Sequence, residues 1–216
     1  MKRWLLLVIF ICAFMPSVSL SDETIPVGLF SSGSLAGWEP KQFEGETTYR
    51  IEVLDNHQVL IAHSENAASG LFKETTINLK DYPYLNWRWR IDRKLPEHDE
   101  QQKAGDDYVA RIYVIRSGGL LFWRTKALNY VWSSRAEKGK TWPNAFAPDN
   151  NRMISIRSSQ DNTHQWYSEK RNIYNDFKDW LGEEIVEIHA IAIMTDTDNT
   201  GGEATAYYGD IYFSKE

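Results

Sequence analysis

Four charged and two aromatic side chains are the residues of this sequence best suited to bind a small polar ligand. The charged residues are Arg88, Arg90, Asp107 and Arg111, and the aromatic residues are Tyr113 and Trp132. A planar guanidinium can hold a carboxylate or neighbouring hydroxyls through two parallel hydrogen bonds. An aromatic ring offers apolar area to the C–H face of a sugar. This set of residues therefore predicts a binding site for a saccharide or another polyhydroxylated molecule.

Two predicted strands carry all of these residues except Trp132. In an extended strand, successive side chains point to opposite faces. In the first strand, the apolar positions are Leu85, Trp87, Trp89 and Ile91, and the opposite positions are Asn86, Arg88 and Arg90. Within Gly105 to Arg116, we expect Tyr108, Ala110, Ile112 and Val114 in the core, and Asp107, Arg111 and Tyr113 on the opposite face. Because consecutive strands often pair, the two polar faces are expected to adjoin.

A second interpretation of the same charges stays open. Antiparallel sheets commonly expose one face to solvent, and an ordinary ion-pair network on such a face would show the same pattern of Arg and Asp. Trp87 and Trp89 fall on the apolar face and are expected in the core, whereas Trp132, Trp142 and Trp166 lie near strand ends or in loops. These last three are the candidates for an aromatic platform.

The segment Asp196-Thr197-Asp198-Asn199-Thr200-Gly201 matches the first half of a calcium-binding loop. Oxygen-bearing side chains at alternate positions followed by glycine can wrap a hard cation. The second half fails, because Tyr207 stands where a bidentate Glu is needed. The alternatives are a polar turn between the last two strands, or a calcium site in which Asp210 or Glu203 completes the set begun by Asp196 and Asp198.

No motif of a known enzyme class is present. The sequence lacks the Gly-x-Ser-x-Gly, His-Glu-x-x-His, Walker and dinucleotide patterns. A glycosidase needs two carboxylates, so a carbohydrate-active hydrolase or lyase using Asp107 with Asp176 or Asp210 stays an alternative, with its catalytic residues otherwise unassigned. A third alternative is a structural or assembly protein of the cell envelope.

The periodicity of the chain predicts a mainly β protein. Nine or ten short segments alternate in hydrophobicity, and one amphipathic helix is predicted over Asn172 to Leu181, with Asn172 at its start and Gly182 after its end. This combination is typical of an antiparallel β-sandwich of the jelly-roll type. Residues 22–216 contain no internal repeat or linker, so a single domain is predicted there.

The first 21 residues have the pattern of a signal peptide. Lys2 and Arg3 precede an apolar run from Trp4 to Met15, and small residues follow, which predicts cleavage after Ser19 or Ser21. The run is shorter than the roughly 20 residues that a membrane-spanning helix needs. Cys12, the single cysteine, lies within it and lacks the context of a lipoprotein signal. We therefore expect a soluble exported protein.

Removal of this segment leaves an acidic chain without cysteine. The 24 basic residues fall to 22 with the loss of Lys2 and Arg3, against 30 acidic residues, for a formal charge of −8. This balance argues against a nucleic-acid partner, because nucleic-acid binding depends on clustered Lys and Arg. A disulfide or a thiolate nucleophile is excluded as well. The oligomeric state cannot be predicted from these features.

Linked motifs along the chain resemble a family of exported bacterial proteins. They are Asn86-Trp87-Arg88-Trp89, Ala104-Gly105-Asp106-Asp107-Tyr108 with Arg111, Asn129-Tyr130-Val131-Trp132, Met194-Thr195-Asp196-Thr197-Asp198 and Tyr208-Gly209-Asp210-Ile211. The family is the domain of unknown function numbered three thousand and forty-seven. The resemblance implies the periplasm of a diderm bacterium, and it brings no established activity. A looser similarity, in strand pattern, is to jelly-roll carbohydrate-binding modules. The leading prediction is a non-catalytic binding protein for a saccharide or other polyhydroxylated envelope component.

Overall fold

A computed structural model describes residues 23–216, which fold into fourteen strands and one α-helix. The strands are β1 (Thr24–Gly28), β2 (Glu39–Glu44), β3 (Thr48–Leu54), β4 (His57–Glu65), β5 (Ala68–Asn78), β6 (Tyr84–Ile91), β7 (Arg111–Arg116), β8 (Lys126–Trp132), β9 (Thr141–Pro143), β10 (Asn151–Arg157), β11 (Tyr167–Asn172), β12 (Glu187–Asp196), β13 (Glu203–Tyr208) and β14 (Ile211–Ser214). The helix α1 spans Ile173–Leu181. Three short 3-10 helices cover Phe30–Ser32, Lys103–Gly105 and Phe122–Arg124.

The strands form two seven-stranded sheets. Sheet I contains β1, β14, β6, β13, β4 and β3, with β11 on the other edge of β6. Both β13 and β14 pair with one edge of β6, at its two ends, because Gly209 and Asp210 interrupt what is otherwise one long strand. Sheet II has the order β2-β5-β12-β7-β8-β10-β9. Every pairing is antiparallel except that of β8 with β10.

Large apolar side chains from both sheets fill the space between them. Trp87 and Trp89 of sheet I contact Tyr130 and Trp132 of sheet II, with ring centroids 5.3 and 5.9 Å apart. All four rings are almost fully buried. Burial of such rings contributes much of the apolar area that stabilises a core. The predicted β-sandwich of the jelly-roll type is thus confirmed.

The helix forms where the periodicity predicts it. The side chain of Asn172 accepts a hydrogen bond from the Asn175 amide at 2.9 Å, and Gly182 ends the helix in the left-handed conformation. Asp176 faces inward, where its carboxylate accepts hydrogen bonds from the Tyr130 hydroxyl at 2.7 Å and from Arg171. The single predicted helix is confirmed.

The predicted signal peptide, residues 1–21, with Cys12 inside it, lies outside the described residues. Between residues 23 and 216, no helix has the length and apolar character needed to cross a membrane.

Candidate functional site

The two predicted polar faces lie on opposite outer surfaces of the sandwich. Strand β6, with Arg88 and Arg90, belongs to sheet I, and β7, with Arg111 and Tyr113, belongs to sheet II. The expectation that these faces adjoin is therefore wrong. The reason is the connection of residues 92–110, which carries the chain from one sheet to the other instead of turning β6 directly onto β7.

On sheet I, Arg90 belongs to an ion-pair network at the surface. Its guanidinium contacts Asp55 and Asp92, each at 2.9 Å, and lies 5.5 Å from the ring centroid of Tyr207. The Asp55 side chain is 59% exposed. The neighbouring Arg88 stacks on the half-buried ring of Trp166, with the guanidinium 4.8 Å from the ring centroid. The surface network that stayed open as an alternative is thus present here.

The outer face of sheet II contains a cleft of about 440 Å³. Small side chains on the central strands make room for it: Ala68 pairs with Asp196, and Gly70 pairs with Met194. A Cβ atom added to Gly70 would lie 3.1 Å from a backbone carbonyl oxygen, so the backbones approach closely here. A second depression of about 1100 Å³, whose lining includes Phe72, Ile115 and Ala190, lies beside the cleft on the same face.

The walls of the cleft differ from its inner end. One wall contains Phe43 of β2, and the opposite wall contains Phe146 from the loop between β9 and β10; these rings are 56% and 57% exposed. The inner end carries polar groups, namely Asp106, Asn144, Asp196, Asp198 and Asn199. Tyr113 and Met194 lie on the floor. The cleft therefore combines exposed apolar rings with carboxylate and amide groups.

Arg111 is held at the inner end of the cleft by a buried ion cluster. Its guanidinium donates to the carboxylate of Asp196, to the main-chain carbonyl of Asp106 at 2.9 Å and to the Tyr113 hydroxyl at 2.8 Å. It also lies 4.3 Å from the ring centroid of Tyr108. The Arg111 side chain is 2% exposed. The structure thus places Arg111 beneath the surface of the cleft, where it positions other groups.

The carboxylates around Arg111 outnumber its single positive charge. Burial raises the pKa of Asp106, Asp196 and Asp198, and their mutual repulsion adds to this effect in Asp196, while Arg111 opposes it. Asp198 lines the cleft, and its pKa is raised by burial first and by the negative charge of Asp107 second. Burial also raises the pKa of the Tyr113 hydroxyl. The inner end of the cleft thus tends to retain protons.

Asp107 lies away from any surface that a ligand could reach. Its side chain is fully buried, and its carboxylate accepts hydrogen bonds from the amides of Asn199 and Thr200 at 3.2 and 2.6 Å and from the Thr200 hydroxyl at 2.6 Å. The predicted ligand contact is wrong. Asp107 instead fixes the turn between β12 and β13, which brings Asp198 and Asn199 to the cleft.

The predicted alternation holds from Ala110 onward and fails before it. Ala110, Ile112 and Val114 lie in the main core, as expected. Tyr108 packs instead in a separate cluster with Val131, Trp142 and Met153. The cause is that β7 begins at Arg111, so the preceding residues do not follow strand geometry.

Trp132 is a core residue and offers no ring face to a ligand. It is 1% exposed, its indole N–H donates to the Ser158 carbonyl at 3.1 Å, and its ring contacts Trp89 and Tyr167. The prediction of an exposed stacking residue is wrong here. Trp132 lies at the end of β8, but its side chain follows the inward alternation of that strand.

Of the three predicted calcium ligands, Asp196 and Asp198 are brought together, whereas Asp210 is not. Asp210 accepts hydrogen bonds from the amide and hydroxyl of Ser31, at 2.8 and 2.6 Å, and lines a recess on sheet I. The carboxylates that converge are those of Asp107, Asp196 and Asp198, and one oxygen atom of each lies within 4.8 Å of the other two. The Asp107 carboxylate already accepts a hydrogen bond from the Thr200 amide, and the Asp196 carboxylate accepts one from Arg111. The Arg111 guanidinium thus supplies a positive charge beside Asp196, one of the predicted calcium ligands.

Phe43, Phe146, Asn144 and Asn199 line the cleft and were missed by the sequence predictions. Phe43 and Phe146 lie in segments without clear periodicity, and Phe146 stands between Pro143 and Pro148. One signal was available: the alternate positions Ala190, Ala192 and Met194 of β12 are small or flexible, which is unusual for a strand face exposed to solvent.

The family model described as "Protein of unknown function (DUF3047)" matches residues 36–212. The chain belongs to this family. In this DUF3047 protein, the matched range includes both walls and the inner end of the cleft. No curated protein sequence matches the chain significantly.

Several solved β-rich structures are similar to this DUF3047 protein in the course of the chain. A carbohydrate-binding module described as one of the β-sandwich superfamily has 12% identity and a TM-score of 0.47; the match covers 88% of this chain and 62% of that one. A family 11 carbohydrate-binding module of a Clostridium thermocellum cellulase has 9% identity, coverages of 88% and 94%, and a TM-score of 0.47. A cellulase derived from Cel12A of Rhodothermus marinus has 11% identity, coverages of 82% and 96%, and a TM-score of 0.47.

Proposed function

We propose that this protein is an exported, non-catalytic binding protein whose cleft on sheet II holds a saccharide. One observation carries the proposal: exposed phenyl rings stand on both walls of a cleft whose inner end bears carboxylate and amide groups. Binding sites for small molecules usually combine apolar walls with a few directed polar groups. A sugar ring has apolar C–H faces and a polar edge, which matches this division.

Each part of the cleft has a distinct task in the proposal. Phe43 and Phe146 provide apolar area to the faces of sugar rings. Asp198 and Asn199 exchange hydrogen bonds with hydroxyl groups, since a hydroxyl can both donate and accept. Arg111 acts indirectly, because it holds Tyr113 and Asp196 in place from beneath the surface.

The buried position of Asp107 supports a binding role over the hydrolase or lyase alternative. A general acid or base must reach the reacting proton within hydrogen-bond distance. All three described partners of the Asp107 carboxylate belong to the chain itself, and the side chain is fully buried. In an assay for released reducing ends or unsaturated products, we therefore expect no activity. Activity in the native protein that is lost in Asp198→Asn would favour an enzyme instead.

An oligosaccharide array tests the proposal directly. We expect the native protein to bind a defined subset of oligosaccharides. The variants Phe146→Ala and Phe43→Ala should each lower the affinity for the best of these by about three- to tenfold, the range expected for one ring contact. Tyr212→Ala, an exposed ring on sheet I, is the matched control and should bind as the native protein does.

Two outcomes of the array would contradict the proposal. One is the absence of binding to any oligosaccharide, which combined with a stable protein partner in a pull-down would favour a structural or assembly role. The other is a loss of affinity in Tyr212→Ala with none in Phe146→Ala, which would place the ligand on sheet I.

The proposal includes a periplasmic location: export rests on the amino-terminal sequence pattern, and the diderm cell envelope rests on the family resemblance. Cell fractionation should recover the protein in the periplasmic fraction, and sequencing of its first residues should show cleavage after Ser19 or Ser21. Recovery of the uncut chain from the cytoplasm would contradict this location.

A further inference from the structure

The loop between β7 and β8 carries four consecutive large apolar residues on its surface. They are Leu120, Leu121, Phe122 and Trp123, here called the apolar finger, and their exposed fractions are 99%, 37%, 74% and 58%. Single exposed apolar residues are common in soluble proteins, but a contiguous exposed patch marks an interaction surface. We propose that the apolar finger inserts into the surface of an anionic lipid bilayer.

Several backbone groups of the loop form hydrogen bonds within the protein. The Leu121 amide donates to the Gly118 carbonyl at 3.1 Å, and the Arg124 amide donates to the Leu121 carbonyl at 2.8 Å. The Trp123 carbonyl accepts from the Asn150 side chain at 2.8 Å. Entry into an apolar medium is costly for unpaired backbone groups, and these internal bonds avoid much of that cost.

The same bonds give the finger a defined shape. Gly118 has no room for a side chain, because an added Cβ atom would lie 2.2 Å from the Leu121 carbonyl oxygen. Gly119 has a positive φ of 59°, and its amide donates to the Ser117 hydroxyl at 3.0 Å. The side chains of Phe122 and Trp123 pack edge to face at 5.3 Å. The finger is thus a convex, internally bonded projection.

The charges around the finger favour anionic head groups. Arg116 and Arg124 flank it, and neither has a carboxylate within ion-pair distance anywhere in residues 23–216. Of the nearby acidic residues, Glu183 pairs with Lys126 at 3.2 Å, and Glu187 contacts the His189 ring at 3.2 Å. Exposed Arg beside Trp, Phe and Leu is the combination found in segments that lie in the bilayer interface.

A protein partner fits this surface less well. Four such side chains can bury on the order of 500 Å², taking roughly 150–250 Å² for each aromatic ring, whereas a stable protein complex buries about 800 Å² on each partner. The finger is a narrow, convex projection flanked by Arg116 and Arg124. Such a shape is better matched by a fluid, anionic surface than by a rigid apolar pocket.

Vesicle binding tests the proposal with the full chain. Vesicles containing phosphatidylglycerol should sediment the native protein, and Leu120→Ser combined with Phe122→Ser should weaken this binding by about tenfold or more. Val53→Ser, which removes an exposed apolar side chain of sheet I, is the matched control and should bind as the native protein does. Arg116→Gln with Arg124→Gln should weaken binding to these vesicles but not to uncharged ones.

A local measurement separates the finger from the apolar residues 4–15. The emission of Trp123, obtained as the difference between the native protein and Trp123→Phe, should shift to shorter wavelength with vesicles and be quenched by brominated acyl chains. No shift and no quenching, or equal vesicle binding by the Leu120→Ser, Phe122→Ser variant, would overturn the proposal. Self-association or capture of a protein partner that depends on the finger, without vesicle binding, would overturn it as well.

Discussion

Two arginine clusters, one on each outer face of the sandwich, use the same residue types in different surroundings. Arg90 on sheet I, whose side chain is 12% exposed, contacts Asp55 and Asp92 at the surface, and these two side chains are 59% and 32% exposed. Arg111 on sheet II contacts Asp196, and both side chains are 2% exposed. Solvent screens the first cluster, whereas the second must be balanced within the protein. The cluster that looks less accessible is thus the one that can define the shape of a binding cleft.

The contrast shows why charge pattern alone did not locate the site. The alternation of residues along β6 and β7 identifies which side chains face outward in each strand, and it does so correctly for Arg88, Arg90, Arg111 and Tyr113. It cannot distinguish one outer face of a sandwich from the other. Nor can it indicate whether a loop, such as that carrying Phe146, covers part of a face.

Loss of Arg111 should have the largest effect on stability. Arg111→Met leaves Asp196 buried without its cation, and breaking a buried ion pair typically costs about 3–5 kcal/mol. Arg90→Met, on the surface cluster, should cost about 1 kcal/mol or less. Urea unfolding of both variants measures the difference, and equal losses would show that the two clusters are alike.

The pH dependence of stability should separate the clusters next. The pKa of Asp198 is raised in the folded protein by burial and by the charge of Asp107. A raised pKa means that the folded state holds the proton more tightly than the unfolded state, so this contribution to stability is present below about pH 4 and is lost as the pH rises through the folded pKa. Asp198→Asn should therefore become progressively more stable, relative to the native protein, above about pH 4.

Unfolding free energies of the native protein and Asp198→Asn across this pH range provide the test. Asp92→Asn, in the surface cluster, is the comparison variant. The difference in unfolding free energy between the native protein and Asp198→Asn could stay constant with pH or change in the opposite direction. Either result would contradict a raised pKa of Asp198 at the inner end of the cleft.

A smaller effect is expected from Trp166, which stacks on Arg88 at the surface of sheet I. Trp166→Ala should lower the free energy of unfolding by about 1 kcal/mol or less, since exposed cation–π contacts contribute about 0.5–1 kcal/mol. It should leave saccharide binding unchanged. Reduced saccharide binding by Trp166→Ala would indicate that the binding site lies on the outer face of sheet I.

No effect is expected from a chelator. Because Arg111 supplies the positive charge beside Asp196, and the chain itself satisfies Asp107, EDTA should leave the melting temperature unchanged. A fall of several degrees that calcium restores would show that the cluster binds a metal ion after all.

The elements of the fold could be predicted because their signals are local. The Asp55 and Asn56 turn, with φ of 52° and 62°, joins β3 to β4, and the capping residues Asn172 and Gly182 bound α1. Before Arg111 the alternation breaks, and Asp107 points inward. Both features depend on contacts with residues about ninety positions later, in the turn after β12. Periodicity contains no information about such distant partners.

The cleft was only partly predictable for the same reason. Arg111 and Tyr113 could be assigned to an outward face from their spacing in β7. Phe43 and Phe146 come from an edge strand and a loop that meet across sheet II, and this meeting depends on the sheet order β2-β5-β12-β7-β8-β10. Sheet order is set by long-range packing, which a single sequence does not display.

Side-chain footprinting with hydroxyl radicals tests the central claim most directly, because it compares both faces of the sandwich in one experiment. The oligosaccharide that binds most tightly on the array is added in excess, and the oxidation of each aromatic side chain is measured with and without it. We expect protection of Phe43, Tyr113 and Phe146 in the cleft, and unchanged oxidation of Trp166, Tyr207 and Tyr212 on sheet I. Protection of the sheet I residues, with none in the cleft, would contradict the account.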